Sequence, residues 1–158
     1  YAKISAEGNW VELQMIDVDD IQQDGEAFVL NTGSPHYVKE VSSLEQMDVY
    51  TEGYNIRNNE TYQRDGINVN FIEQKPNHLF VRTFERGVED ETYACGTGVT
   101  AVAMAMAKKQ NQVGKIETPI KVLGGDLQIN FNYDGQKFTD VFLCGPAERV
   151  FVGEIDQL

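Results

Sequence analysis

The most reactive feature of this sequence is a cysteine at the head of a helix. The segment Glu85-Arg86-Gly87-Val88-Glu89-Asp90-Glu91-Thr92-Tyr93-Ala94-Cys95-Gly96-Thr97-Gly98 joins the end of a predicted strand to a strongly apolar helix. At a helix start, backbone N–H groups without intrahelical partners point outward. With the helix dipole they can hold an anion, and they can lower the pKa of a thiol placed there. Gly96 and Gly98 let the backbone bend sharply and approach a ligand closely. A thiolate beside a carboxylate-binding nest sets a base next to the Cα proton of an amino acid whose carboxylate is already held. The blander reading is a cysteine packed as a small apolar residue, as most intracellular cysteines are. The Gly-Thr-Gly context and the upstream Glu85-Arg86 weigh against it. Cys144, in Leu143-Cys144-Gly145-Pro146, adjoins no helix terminus or cation and reads as structural.

Several elements must position that cysteine. Residues 1–16 read as β, residues 17–26 as an acidic polar stretch with an Asp24-Gly25 turn, and residues 27–30 as a short apolar strand. Residues 31–35 form a loop, and a strand resumes over 37–41. A loose helical period covers 43–58, followed by a polar loop to Gly66. Ile67, Val69 and Phe71 alternate with Asn68, Asn70 and Ile72, a strand pattern. Lys75-Pro76-Asn77 turns the chain into a returning strand over 78–84, so the pair reads as a hairpin. Residues 101–107 are strong helix formers, apolar nearly all round, and predict a buried helix. Lys108 and Lys109 suit its C-terminal end. Beyond Pro119 a meander is expected, with strands over 120–123, 127–132, 138–143 and 149–152. Turns at Gly124-Gly125-Asp126 and Asp134-Gly135 connect it. Together these predict an α+β fold, a mainly antiparallel sheet wrapped around one central apolar helix.

The 158 residues suit one domain, or one with a stub of another. Residues 1–9 can be read as the end of a preceding domain. Hydrophobic residues make up 41% and charged residues 24%, which argues against disorder. A net charge of −12 repels phosphate backbones and anionic lipid, so neither nucleic acid nor membrane is expected as a partner. No apolar run approaches the ~18 residues of a membrane span, and the N-terminus lacks a signal-peptide pattern. Two thiols without a disulfide framework fit the reducing cytoplasm.

The motif Glu-Arg-Gly followed by Glu-Thr-Tyr-Ala-Cys-Gly-Thr-Gly resembles the second-half active-site motif of diaminopimelate epimerases. Asn31-Thr32-Gly33-Ser34-Pro35-His36-Tyr37-Val38 is similar to the family's Gly-Asn-Pro-His segment. Gly66-Ile67-Asn68-Val69-Asn70-Phe71 is similar to its Asn-Val-Asn-Phe strand. The order agrees, and Gly145-Pro146-Ala147 with Val150-Phe151 and Gly153 closes the match. The resemblance covers nearly the whole chain but only the C-terminal half of the family protein; the N-terminal half, with its own Cys-Gly motif, has no counterpart here.

The resemblance implies two pseudo-symmetric halves, each a sheet around a central helix, with the site in the cleft between them. It implies no pyridoxal phosphate and no metal. One thiolate removes the α-proton of LL-diaminopimelate and the opposite thiol donates one, giving the meso form for lysine and cell-wall precursor biosynthesis. Helix N-termini aimed at the substrate carboxylate would stabilise the carbanion, and the two thiols need matched pKa values. Carried over, Cys95 is one acid–base cysteine. Gly96 and Thr97 offer backbone N–H groups, and Thr97 a hydroxyl, to the reacting end. Arg86 holds the distal carboxylate with a bidentate fork. Glu85 contacts the substrate ammonium or tunes the thiol, Asn68 hydrogen-bonds the distal amino-acid end, and His36 adjusts a proton affinity. Ser34 stands where the family pattern has Asn, a shorter donor and acceptor at a substrate-binding position. The stretch from Arg86 to Cys95 is slightly longer than the family form and reads as a loop insertion.

The partners expected are a diaminopimelate-like amino acid and the missing half of the same protein, with a homodimer left open. Because this chain supplies one base of two, it is expected to be inactive alone. A proline-racemase-like domain is the first alternative, since such proteins also carry Cys-Gly-Thr-Gly; Glu85-Arg86, the Pro35-His36 loop and Asn68 weigh against it. A non-catalytic isolated domain is the second. Acyl transfer by Cys95 would need an activating histidine, and none adjoins it in sequence.

Overall fold

The computed structural model describes residues 1–155. Its order is β1 (Ala2–Ile4), β2 (Trp10–Gln14), β3 (Ile21–Asp24), β4 (Ala27–Asn31), β5 (Pro35–Glu40), α1 (Val49–Arg57), β6 (Asn68–Gln74), β7 (Leu79–Glu85), β8 (Asp90–Thr92), α2 (Gly96–Lys109), β9 (Gly114–Val122), β10 (Gly125–Tyr133) and β11 (Phe138–Pro146).

The helix α2 organises the rest. Gly98 through Ala107 are all buried, so the helix has no solvent face over that stretch and must be surrounded. Its small Ala and flexible Met side chains let strands approach closely from several directions. It packs against β4, β5, β6 and β7 and also against β9, β10 and β11. Val99, Val102, Met104 and Met106 share one core with Leu30, Val38, Ile72, Val81, Ile120, Ile129 and Phe138.

The strands form one sheet in the order β1-β2-β11-β10-β9-β7-β6-β5-β4-β3, with β8 paired beside β7. Most pairings are antiparallel, but β5–β6 and β7–β9 are parallel, so the sheet is mixed. The β7–β9 junction is short: Leu79 pairs with Ile120 and Phe80 with Lys121.

Beside the buried helix α2, a second helix forms where the sequence showed a loose helical period. The 43–58 stretch resolves into a 3-10 turn, Leu44–Gln46, and a second α-helix, α1. Asp48 caps α1, its carboxylate accepting from Thr51 N at 3.0 Å. A second core links Leu44 and Val49 to Val69, Phe71, Phe80 and Phe84. Both faces of β6 are therefore buried, one under α2 and the other under α1. Thus Asn68 and Asn70 do not sit on a solvated face.

Two short strands escaped the sequence reading. β3 falls inside the acidic stretch, and only Ile21 of it is buried. β8 falls inside the loop before Cys95 and pairs with the end of β7. Conversely, residues 149–152 form no strand, and Val150, Phe151 and Val152 are exposed. The Asp24-Gly25, Gly124-Gly125 and Asp134-Gly135 turns stand where expected. Among the described residues, no helix is long and apolar enough to cross a membrane.

Candidate active site at the head of α2

Cys95 is the residue before the first turn of α2, held in extended backbone at φ −129° and ψ 108°. The residue is 8% exposed. Thr97, the second residue of α2, places Oγ1 3.6 Å from Cys95 Sγ. Three neighbouring strands deliver the polar groups beneath. The β5–β6 register sets His36 beside Asn68 and Val38 beside Asn70, and the β6–β7 register sets Asn70 beside Thr83. Side chains paired across strands share a face, so His36, Asn68, Asn70 and Thr83 all point toward the head of α2.

These groups are joined. His36 Nε2 lies 2.9 Å from Thr97 Oγ1 and 3.0 Å from Ser34 Oγ, and the two hydroxyl oxygens are 3.2 Å apart. The Asn68 amide donates to Ser34 Oγ at 3.1 Å and to Pro35 O at 3.0 Å. Its oxygen accepts from the Arg86 backbone N–H at 2.9 Å. Asn68 thereby ties the Ser34 loop to the Glu85-Arg86 strand end. Thr32 Oγ1 donates to Thr97 O at 2.8 Å, pinning the same loop to α2.

Glu85 Oε1 accepts from the Thr92 hydroxyl at 2.5 Å, across the β7–β8 pair. The Arg86 guanidinium is exposed and donates to Asp65 O at 2.9 Å; it makes no ion pair among the described residues. Gly66, at φ +72°, makes room for it, since a Cβ there would stand 2.5 Å from Arg86 Cδ.

The electrostatics differ from the expectation at Cys95. Burial pushes the thiol's pKa above its ordinary value, and the Glu85 carboxylate adds to that push. The Thr97 hydroxyl and the Gly98 amide pull the other way and do not prevail. In this chain, then, Cys95 rests as a thiol; desolvation outweighs the helix terminus. His36 is fully buried, and desolvation, aided by the Arg86 charge, lowers its pKa to about 4. Its ring is therefore neutral near pH 7. Cys144 is buried, and its pKa is pushed up to about 11, first by burial and then by Glu12 and Glu117. Both cysteines are free.

Each sequence-derived site residue thus lies in one cluster: Ser34, His36, Asn68, Glu85, Arg86, Cys95, Gly96 and Thr97. Gly96 and Gly98 also serve the packing of the fold. A Cβ on Gly96 would meet Leu143 Cδ2 at 2.8 Å, and one on Gly98 would overlap the Asn70 Oδ1 atom. Both admit neighbouring side chains of the fold. Sequence reasoning missed Asn70 and Thr83. The available signal was Asn68 and Asn70 two apart on a strand face that continues into the buried Ile72.

Two solved structures share this architecture. A hydroxyproline epimerase from Agrobacterium vitis, with bound trans-4-hydroxy-L-proline, superposes at a TM-score of 0.65 and 15% identity. The match covers 91% of this chain and 52% of that one. A phenazine biosynthesis protein of the PhzF family from Bacillus anthracis matches at a TM-score of 0.64 and 9% identity, covering 91% of this chain and 60% of that one. At such identities the likeness concerns the fold alone, a sheet wound about a buried helix. Sequence relatives narrow the class. The diaminopimelate epimerase family model matches residues 28–150. The chain is 44% identical to a diaminopimelate epimerase of Flavobacterium psychrophilum, over 92% of its own length and 57% of the relative's. It is 43% identical to that of Chlorobaculum tepidum, over 92% and 58% respectively. The chain belongs to the diaminopimelate epimerase family and spans a little over half the length of these relatives.

Proposed function

We propose that this chain is the C-terminal domain of a cofactor-independent diaminopimelate epimerase and supplies one of its two acid–base thiols. The supporting observation is convergence. Residues from four separate segments, 34–36, 68, 85–86 and 95–97, meet at the head of α2 around one thiol.

In this reading the substrate α-carboxylate sits on the free N–H groups of the first turn of α2, where the dipole offsets negative charge developing toward Cα. A thiolate on the facing half removes the α-proton. Cys95, resting as a thiol, donates its proton to the opposite face, and the configuration inverts. One thiol has then become a thiolate and the other the reverse, so the reverse reaction exchanges their roles. Glu85 faces the substrate ammonium. Arg86, with no ion pair of its own among the described residues, takes the distal carboxylate. Asn68 and Ser34 address the distal amino-acid end, with Ser34 replacing a longer amide. The partner is the remaining half of the same protein, and the setting is the cytoplasmic supply of lysine and cell-wall precursors.

The test joins this chain to the N-terminal half of the Flavobacterium relative and follows exchange of the α-hydrogen of LL-diaminopimelate in deuterated water. The joined protein exchanges and epimerises, whereas this chain alone does not. Cys95→Ala in the joined protein lowers the rate by at least about 10²–10⁴, the usual contribution of a positioned acid or base. Turnover by this chain alone, or full activity after Cys95→Ala, overturns the proposal.

A further inference from the structure

Beneath the thiol runs a buried polar chain whose direction can be read atom by atom. Thr83, Asn70 and His36 are 3%, 0% and 0% exposed. The carbonyl oxygen of Tyr37 can only accept, and it lies 3.1 Å from Asn70 Nδ2. That contact fixes which end of the Asn70 amide carries hydrogens. The second Nδ2 hydrogen faces His36 Nδ1 at 3.0 Å, so Nδ1 is an acceptor. At the other end, the Thr83 hydroxyl donates to Asn70 Oδ1 at 3.1 Å. The proton of the neutral ring then stands on Nε2, directed at Thr97 Oγ1 and Ser34 Oγ. Once Thr97 Oγ1 receives it, the Thr97 hydrogen is free to turn toward Cys95 Sγ, 3.6 Å away. Gly98 leaves the space that Asn70 occupies.

We propose that Asn70 is a positioning residue for Cys95: it holds His36 in the Nε2–H tautomer and so makes the Thr97 hydroxyl a donor to the Cys95 sulfur. A donor to sulfur favours the thiolate, so Asn70 eases the release of a proton from Cys95 without touching substrate. Two charged groups face this chain, Glu85 toward Cys95 and Arg86 toward His36, both from the end of β7. The inference deepens the acid–base role assigned to Cys95. Its evidence is a ring tautomer, read without turnover. A wrong tautomer leaves the epimerase reading standing, and an inactive joined protein leaves the tautomer standing.

The sequence has two histidines, so the ring signals are separable with a His78→Gln variant. In the intact chain at pH 7, ring ¹⁵N shifts of His36 should show Nδ1 unprotonated and Nε2 protonated. In Asn70→Asp, a carboxylate accepts from Nδ1, the proton moves there, and Nε2 becomes an acceptor that turns the Thr97 hydrogen away from sulfur. Alkylation of Cys95 at pH 8 then slows about tenfold, equivalent to a midpoint raised by about one unit. Thr97→Val slows it similarly, and adding Asn70→Asp to Thr97→Val slows it no further, because the one acts through the other. A wild-type His36 protonated on Nδ1 overturns the proposal, and so do independent, multiplying effects of the two substitutions. The wild-type ring measurement decides the matter even if a variant fails to fold.

Discussion

Replacing Gly98 with alanine sets two effects of opposite sign against each other. Gly98 lies in the first turn of α2, and Ala is the better helix former by about 0.8–1 kcal/mol. Propensity alone therefore makes Gly98→Ala stabilising. Packing opposes it. The new Cβ would overlap Asn70 Oδ1 and stand 3.2 Å from Cys95 Cβ and Sγ, with the site fully buried. Forcing a methyl into a filled interior costs about 1–3 kcal/mol. The displaced amide also loosens its bonds to Thr83 and His36, each worth about 1 kcal/mol and more when a buried partner is left unsatisfied. Packing and lost bonds outweigh propensity, for a net destabilisation of about 2–3 kcal/mol. For a domain of this size that lowers Tm by about 4–12 °C. Urea unfolding followed by circular dichroism measures it directly. A Gly98→Ala protein as stable as the parent, or more so, refutes the reasoning, because Asn70 would then not be wedged under α2. The companion variant Gly98→Ala with Asn70→Ala removes the colliding atom. Its stability should exceed the sum of the single effects by at least about 1 kcal/mol.

Further predictions concern charge and packing. His36 has a folded pKa of about 4 against an ordinary value of 6.5. The unfolded chain therefore takes up the proton first as pH falls. This contribution, up to about 3 kcal/mol, is present above pH 6.5 and is lost progressively toward pH 4. In His36→Gln, stability should fall by about 2 kcal/mol less than in the parent between pH 7 and 4.5; parallel pH profiles would contradict this. Arg82 makes a two-pronged pair with Glu91, both contacts 2.6 Å, and donates to Leu44 O and Met47 O at 2.9 Å. Arg82→Leu strands a half-buried carboxylate and should cost about 3–5 kcal/mol by urea unfolding; Arg82→Lys, lacking the fork, should not restore it. Gly53→Ala puts a Cβ 2.7 Å from Phe84 Cγ. It should destabilise by about 1–3 kcal/mol despite improving the propensity of α1, and an unchanged melting temperature would show that Phe84 yields freely.

The parts of the molecule legible in the sequence are those with dense local signals. The buried helix α2 announced itself by an all-apolar run, and the β6–β7 hairpin and the β9–β11 meander by alternation and glycine turns. The residues gathered around Cys95 are the ones their motifs singled out. What eluded the sequence depends on neighbours distant along the chain. β3 has one inward apolar residue, and its strand state comes from pairing with β4. Residues 149–152 are apolar enough for a strand but find no ladder partner within the described residues. The parallel pairings leave no local trace. Asn70 reads as surface until α1 is seen to bury the other face of its strand. The raised pKa of Cys95 required knowing how deeply the sulfur is buried; a helix terminus alone suggests the reverse.

The two-residue junction between β7 and β9 bears on how this molecule comes apart. Across that seam the sheet is held by only two register pairs. Strands β3–β8 lie on one side, and β1, β2 and β9–β11 on the other. Left to the seam alone, the two groups would open as separate cooperative units with unequal amide-exchange protection. The helix α2 acts as a splint across the break, since it packs on strands of both groups and joins them in the chain between β8 and β9. The cooperativity of unfolding is thus vested in one helix. Its head, carrying Cys95, is set on the strands β3–β8 side by Thr32, His36 and Asn70, and the remainder of the helix clamps the other group in place.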